Sequence, residues 1–416
     1  MNHDTAGAVL VFNAGSSSLK YQLVKPDTGE VIADGIAERI GDHDSSITHE
    51  QDNETITETL PLPDHKAAVE RAEKFFADNG IDLARAGLAA VGHRVVHGGR
   101  ALYEPKLVDS WVRSEIERVS PLAPLHNPAN LVGIEAAQAL LPDVPSVAVF
   151  DTAFFHDLPA AAATYAIDRR FATEHAIRRY GFHGTSHEYV SGQVAEFLGR
   201  DLADLHQIVL HLGNGASASA IAGGRPIDTS MGMTPLEGLV MGTRSGDVDP
   251  GLVLHLNRVE GLSFDEIDDL LNHNSGMRGL CGENDFRSIS TLVDEGDENA
   301  RRAYEVYIHR LKHYIGAYTF ELGKLDVITF TAGVGEHSAR VRADALAGLE
   351  NFGIVVDAER NASESTAARR ISADASVVDV LVVPTNEELA IARQAAELVA
   401  ARWPTKIPGA QQNREY

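Results

Sequence analysis

Residues 9–24 read VLVFNAGSSSLKYQLV. An apolar run, Val9 to Phe12, breaks into Asn13-Ala14-Gly15-Ser16-Ser17-Ser18, and an alternating apolar pattern resumes at Leu19, Tyr21 and Leu23. Period-two alternation on either side of a small polar cluster predicts strand, turn, strand. The tip is unusual because it gathers an amide, a glycine that lets backbone N–H groups approach a ligand, and three hydroxyls, and it closes on Lys20. Residues 208–224, IVLHLGNGASASAIAGG, repeat the plan of strand, glycine-rich turn and strand. A third cluster, GVGEHS at 333–338, also follows an apolar run. Three glycine-rich turns after strands form a constellation that can hold a polyphosphate. The repeated hairpin suggests a duplicated unit with a cleft between the copies; two unrelated hairpins are the alternative.

Working outward, short apolar runs alternate with helical segments, which reads as α/β. The strand candidates are 8–13, 21–24, 88–96, 146–151, 207–213, 217–223, 326–333 and 377–384. A helix is predicted from Asn127, with that residue as N-cap and Pro128 in the first turn. In the segment 298–323, Tyr304, Tyr307, Leu311, Tyr314, Ile315 and Tyr318 fall at helical spacing and read as core. In the segment 385–403, Thr385 and Glu388 stand in capping-box relation, which leaves Glu387 free at a helix start, where a carboxylate can hold a hydrated Mg²⁺. The polar alternating segment 44–60 reads as an exposed hairpin, and 404–416 as a frayed tail.

The chain has 416 residues, which favours two domains. Its 36 Lys and Arg against 60 Asp and Glu give a net charge of −24, the opposite of a nucleic-acid binder. An anionic substrate would be repelled at long range, so any anion site must gather its own Arg, Lys and N–H groups. No run reaches the ~18 apolar residues of a membrane span, and the first residues lack a secretory pattern. Cys281 is the sole cysteine, so no internal disulfide forms and a reducing cytoplasm fits.

Familiar nucleotide motifs are absent: there is no G-x-x-x-x-G-K-[ST] and no protein-kinase set. GNGASA fits a dinucleotide fingerprint, but strand rather than helix follows it. Ser17 to Lys20 fits S-x-x-K of serine acyl-enzymes without the partner motifs. The pairs His93/His97 and His183/His187 have helical spacing but lack the Glu of a zinc motif. Arg94 sits inside a strand-like run, where a buried guanidinium must be paired; it is either a structural ion pair or a clamp for a carboxylate or phosphate. Arg244 lies between Gly242 and Gly246. Asp151 ends a strand, either facing a ligand crevice or capping a turn. His183, between Gly181 and Gly184, is either aimed at a ligand or a core histidine.

Taken together, VFNAGSSSLKYQL, GHRVVHGG, PLAPLHNPANL, VFDTAFFHDLP, YGFHGTSH, HLGNGASASAI, DTSMGMTPLEGLVMGTRSGDVDPG, FTAGVGEHSARVR and PTNEELAIAR closely resemble the acetate kinases, in order, from about Val9 to Arg402. The resemblance implies an α/β, duplicated actin/hexokinase-like (ribonuclease H-like) fold with an interdomain cleft. It implies an N-terminal domain of 1–151 completed by 388–416, and a nucleotide-binding and dimerisation domain of 152–387. It implies a cytoplasmic homodimer that transfers the ATP γ-phosphoryl group to acetate with Mg²⁺, or Mn²⁺ in its place.

By the same resemblance Asn13 and Glu387 are the metal residues, and Ser16, Ser18 and Lys20 lie on the phosphate side. The turn His211, Leu212, Gly213, Asn214 and Gly215 binds ATP phosphates. Asp285, Phe286 and Arg287, with Gly333, Val334, Gly335, Glu336 and His337, contact the adenosine side. Arg94 clamps the substrate carboxylate with His126 nearby, and Val96, Leu125, Phe182 and Pro235 hold the acyl methyl group. His183 and Arg244 stabilise the transition state, and Asp151 handles a proton or positions a partner. The last position of GVGEH is usually Asn in this family; here it is His337. A relative acting on propionate or butyrate, and a non-catalytic ATP-binding regulator, are the competing readings.

Overall fold

The strand β1, Val9–Ala14, is buried on both faces and organises the first half of the chain. The computed structural model describes residues 5–15 and 17–402; Ser16, the expected frayed tail and the other residues lie outside that range. The chain divides into two compact units, one of residues up to Ala153 together with those from Asn386 onward, the other Phe154–Thr385.

In the first unit β1 pairs antiparallel with β2 (Ser18–Val24), and β3 (Val31–Glu38), β4 (Ser46–Gln51) and β5 (Glu54–Thr59) extend the meander. On its other side β1 runs parallel to β6 (Ala90–Val95), and β6 parallel to β8 (Ser146–Phe150); β7 (Lys106–Leu107) forms the edge. The order is β5-β4-β3-β2-β1-β6-β8-β7. Alternation splits the strand between two cores. Leu10, Phe12 and Ala14 pack with Ala68, Val69, Ala72 and Ala137 from the helices His65–Asp78 and Asn127–Leu140. Val9 and Val11 pack with Leu389, Ile391 and Ala395 of the helix Glu387–Arg402. A near-continuous apolar run is what a strand covered on both faces requires.

In the second unit β9 (His206–Leu212), β10 (Ala216–Ala222) and β11 (Arg225–Thr229) form an antiparallel meander; β12 (Val327–Thr331) and β14 (Asp379–Val382) add in parallel, with β13 (Arg369–Arg370) at the edge. The order β11-β10-β9-β12-β14 repeats β3-β2-β1-β6-β8. The two glycine-rich hairpins, 13–18 and 213–217, therefore occupy equivalent places in the two sheets.

Four local expectations are corrected. Asn127 does not cap its helix: the N-cap position is His126, without a side-chain bond. The Asn127 amide instead accepts from His97 N at 3.0 Å and donates to His97 O at 2.9 Å, because the chain after β6 needs those buried groups satisfied. Asn386, not Thr385, caps the last helix, accepting from Leu389 N at 2.9 Å. Residues 333–338 are not a turn: Ala332, at φ +62°, starts the short helix Ala332–His337. The hairpin β4–β5 is half-buried, since Ile47, His49 and Gln51 face inward.

Among the described residues no helix is long and apolar enough to cross a membrane.

Candidate active site

The first unit assembles a charged cluster around Arg94. Register places Asn13 of β1 beside Arg94 of β6, and Arg94 beside Val149 of β8, two residues before Asp151. The guanidinium grips Asp151 through two nitrogens, Nε to Oδ1 at 2.9 Å and Nη2 to Oδ2 at 2.6 Å. It also donates from Nη1 to Asn13 Oδ1 at 3.0 Å, and its Nε lies 3.7 Å from Glu387 Oε2. Asn13 Nδ2 donates to Glu388 Oε1 at 3.2 Å. Burial works against the charge on Arg94, but the Asp151 and Glu387 carboxylates more than offset it and raise the pKa above its ordinary value. Burial raises the pKa of Glu387, with Arg94 opposing and Glu388 reinforcing the shift.

One asparagine supports this cluster. Asn130 accepts from Val96 N at 3.1 Å and donates to Ala14 O at 2.8 Å, tying the ends of β1 and β6 together. Its own N–H bonds to the carbonyl of His126 at 2.9 Å. Val96 is buried and Leu125 half-buried. At the hairpin tip Gly15 N donates to Ser18 O at 2.8 Å, and the Gly15 carbonyl bonds to His65 Nε2 at 2.9 Å. Ser18 is half-buried and Lys20 exposed; Ser16 lies outside the described residues.

The second unit builds its site on the turn Gly213-Asn214-Gly215 between β9 and β10. A pocket of about 580 Å³ is lined by Gly213, Asn214, Asn284, Asp285, Phe286, Arg287, Ser290, Gly333, Val334, His337 and Ser338. That volume suits a drug-sized ligand such as a nucleoside. At Gly215 the turn meets two other groups: a Cβ placed there would lie 3.5 Å from His183 Nε2 and 3.6 Å from Arg244 Nη1. Arg244 is positioned by its Nη1 bond to Pro235 O at 3.2 Å and a sulfur contact to Met241 at 3.8 Å. His183 has φ +57°, a left-handed conformation that costs a non-glycine residue about 1–3 kcal/mol and concentrates at functional sites. Its ring stacks on His211, centroids 4.3 Å apart. Phe182 is buried beside it and Pro235 half-buried.

The loop that carries Arg244 leaves no room at Gly276. There φ is +59°, and a Cβ would lie 2.2 Å from Met241 O and 2.6 Å from Arg244 O. Gly276→Ala is therefore expected to displace Arg244. A misplacement of ~1 Å costs roughly 100-fold in rate, so kcat should fall by about that factor while the melting temperature drops by a few degrees. Steady-state kinetics and thermal melts check this; unchanged values for both would show that the loop accommodates a methyl group.

The profile of the Acetokinase family matches residues 8–393. The chain belongs to the acetokinase family. It is 58% identical over 394 residues to the acetate kinase of Leifsonia xyli, covering 95% of this chain and 99% of that one. The crystal structure of Porphyromonas gingivalis acetate kinase superposes with a TM-score of 0.88 at 42% identity, covering 95% of this chain and 100% of that one. A propionate kinase from Francisella tularensis superposes at 0.87 with 40% identity, covering 93% and 98%. The fold is the duplicated actin/hexokinase-like one of these neighbours.

Within this acetokinase chain, the residues named from the sequence fall into separate groupings. Asn13, Arg94, Asp151 and Glu387 meet in one cluster. His183, Arg244 and Gly215 meet in another, and Gly213, Asn214, Asp285 to Arg287, Gly333, Val334 and His337 line the nucleotide-sized pocket. Leu212, Gly335 and Glu336 do not line it. Glu336 Oε1 accepts from Ala332 N at 2.8 Å and Thr385 N at 3.2 Å, and the Gly335 carbonyl accepts from Arg342 Nη1 at 2.9 Å. Glu388, Asn130, Asn284 and Ser290 escaped the sequence reading. Glu388 reads in one dimension as half of a capping box. Asn130 and Asn284 lie inside or beside the family motifs, but an uncharged amide among charged and helix-forming neighbours gives no signal of its own, and Ser290 lies within an ordinary helix.

Proposed function

We propose that the protein is an acetate kinase that reversibly transfers the γ-phosphoryl group of ATP to acetate, giving acetyl phosphate and ADP, by direct in-line displacement. The observation that carries the reading is the double use of one turn: Gly213 and Asn214 line the nucleotide-sized pocket, and the next residue, Gly215, lies against His183 and Arg244. A nucleotide seated in that pocket directs its phosphates along backbone N–H groups towards a guanidinium and an imidazole.

Acetate resembles a glutamate side chain, with a pKa of ~4.3, and is ionised at neutral pH. The nucleophile needs no general base. Asp151 is already held by two nitrogens of Arg94, so its role is to orient that guanidinium. Arg94 clamps the carboxylate of acetate, with His126 beside it, and Val96 and Leu125 of the same unit accommodate the methyl group. Arg244 and His183 meet the oxygens of the transferring phosphoryl group. The barrier is one of positioning and charge stabilisation.

Mg²⁺ takes oxygen ligands, commonly one or two carboxylates completed by substrate phosphates and water. Asn13 and Glu387 fit that requirement: an amide oxygen and a carboxylate surround the same guanidinium, and Glu388 orients the amide. Among the described residues no three acidic, histidine or cysteine side chains form a self-sufficient metal cage, which accords with an ion completed by phosphates. When bound, the ion neutralises phosphate charge; Mn²⁺ has the same ligand preference. Ser16, Ser18 and Lys20 serve the phosphate side.

A homodimer in the cytoplasm completes the proposal, with Phe154–Thr385 as the nucleotide-binding and dimerisation unit. The helix Pro250–Arg258 buries none of its residues, and Leu252, Leu254, Val259 and Phe264 are exposed nearby. Such an apolar surface suits a second subunit.

The test is hydroxamate detection of acyl phosphate, with ATP, GTP or pyrophosphate as donor and acetate, propionate or butyrate as acceptor. Acetyl phosphate from ATP and acetate at the highest kcat/KM is expected; no acyl phosphate from any pair would overturn the reading. Val96→Ala should enlarge the acyl pocket and raise the propionate-to-acetate ratio of kcat/KM. One methylene is worth about 1–3 kcal/mol, so a shift of roughly tenfold is expected. An unchanged ratio would remove Val96 from the pocket.

A further inference from the structure

His183 does not stand alone in the second unit. Its Nδ1 lies 2.9 Å from Ser217 Oγ. The same hydroxyl lies 2.7 Å from His187 Nε2. The other nitrogen of that ring, Nδ1, lies 2.7 Å from Ser219 Oγ. Ser217, His187 and Ser219 are all fully buried. Ser217 and Ser219 sit two residues apart on β10 and so point to the same side, while His183 and His187 are one helical turn apart at the start of Gly184–Leu198. Two independent periodicities, two along the strand and four along the helix, interleave hydroxyl and imidazole into a single chain.

We propose that Ser219, His187 and Ser217 form a hydrogen-bond relay that holds His183 as the neutral tautomer with its proton on Nε2, aimed as a donor at a phosphoryl oxygen. The inference rests on the proposed function above, and it assigns positioning residues for that reaction.

The directions follow from counting donors and acceptors. His187 is buried, and burial, reinforced by His211, pushes its pKa well below the ordinary range, so one ring nitrogen donates and the other accepts. Ser217 Oγ bridges two imidazoles and donates its one proton to only one of them. The chain is therefore self-consistent in two senses. In one, Ser219 O–H donates to His187 Nδ1, His187 Nε2–H donates to Ser217 Oγ, and Ser217 O–H donates to His183 Nδ1. That leaves Nε2–H of His183 on the side of the Gly215 turn and Arg244. In the other sense every bond reverses, and His183 turns a lone pair towards the same place. A phosphoryl group offers only acceptors, so the first sense alone is attractive to it. No proton leaves the relay: the three groups set orientation and tautomer, and the stacked ring of His211 fixes the plane.

Nothing in the four-residue spacing of the histidines discloses this, since that spacing is equally that of a metal pair. The serines are the discriminating feature, because each supplies a hydroxyl where a metal site would need a third ligand.

The experiment is a long-range ¹H–¹⁵N correlation spectrum of the full chain labelled with ¹⁵N-histidine, recorded with Mg²⁺ and the non-hydrolysable ATP analogue AMPPNP. His183 should appear neutral, protonated on Nε2, with Nδ1 as acceptor. In Ser217→Ala this preference should be lost. Partners that fix the tautomer and orientation of metal-ligating histidines are worth roughly 10- to 100-fold, and a fall in kcat of the same order is expected for this imidazole. The KM values for ATP and acetate should stay within about twofold, as expected when the loss is confined to the transition state. Ser217→Thr, which keeps the hydroxyl, and His187→Gln, whose amide both donates and accepts, should retain most of the rate, whereas His187→Leu should behave like Ser217→Ala. A wild-type His183 that is protonated on Nδ1 alone, or on both nitrogens, overturns the relay, as does wild-type kcat in Ser217→Ala. Should Ser217→Ala fail to fold, the wild-type spectrum decides by itself. The outcomes separate from those for the underlying reaction: wild-type kcat in His183→Ala defeats the reading of the site, whereas a loss in His183→Ala with none in Ser217→Ala defeats only the relay.

Discussion

Arg244→Ala is expected to lower kcat by about 10³-fold while changing the KM for acetate far less. The guanidinium is held by the Pro235 carbonyl at 3.2 Å and lies with His183 against the Gly215 turn. It is therefore placed for charge that develops on the transferring group, and arginines in that role contribute ~10³–10⁵ in other phosphoryl transfers. Each tenfold is about 1.4 kcal/mol, so the loss corresponds to roughly 4 kcal/mol of transition-state stabilisation. Arg244→Lys should recover little, because an ammonium cannot reproduce a planar two-pronged donor. Steady-state kinetics in both directions measure the effect; a kcat near that of the unaltered enzyme would remove Arg244 from the chemistry.

The second large effect is expected at Arg94, and it concerns folding as well as catalysis. The Asp151 side chain is only 1% exposed and that of Glu387 13%, and both face this guanidinium. Arg94→Ala removes one partner and strands buried negative charge, which costs about 3–5 kcal/mol. Urea denaturation should show that loss, together with a raised acetate KM. The double variant Arg94→Ala/Asp151→Ala should be less destabilised than the sum of its two single variants, because the second change removes the stranded carboxylate. Additive losses, or a single-variant loss below about 1 kcal/mol, would show that the pair is not the electrostatic centre of its cluster.

Much of the architecture was legible because its signals are local. Both glycine-rich hairpins, the parallel strands at 90–95 and 146–150, and the aromatic stripe of the helix Glu298–Leu322 follow from period-two and period-3.6 patterns. Where reading the sequence failed, a distant partner had outbid a local one. Asn127 and Thr385 have the chemistry of helix caps. Yet Asn127 serves the His97 backbone, and Thr385 bonds to Ser186 Oγ at 2.8 Å while its N–H bonds to Glu336. Residues 333–338 have the composition of a turn, yet 333–337 belong to the short helix Ala332–His337, which opens on a left-handed Ala332 and lines the nucleotide-sized pocket.

From the order of its residues alone, this chain determined its family, its α/β class, the paired hairpins and the conspicuous Arg94, His183 and Arg244. Those features reside in short segments whose patterns do not depend on what lies far away. Only the tertiary structure decided which charges neutralise one another around Arg94, that Asp151 is bound to it, and that two serines on a strand interleave with two histidines on a helix. Those arrangements depend on the register between strands and the facing of a helix on a sheet, and burial then fixes protonation and hydrogen-bond direction. No linear spacing encodes either.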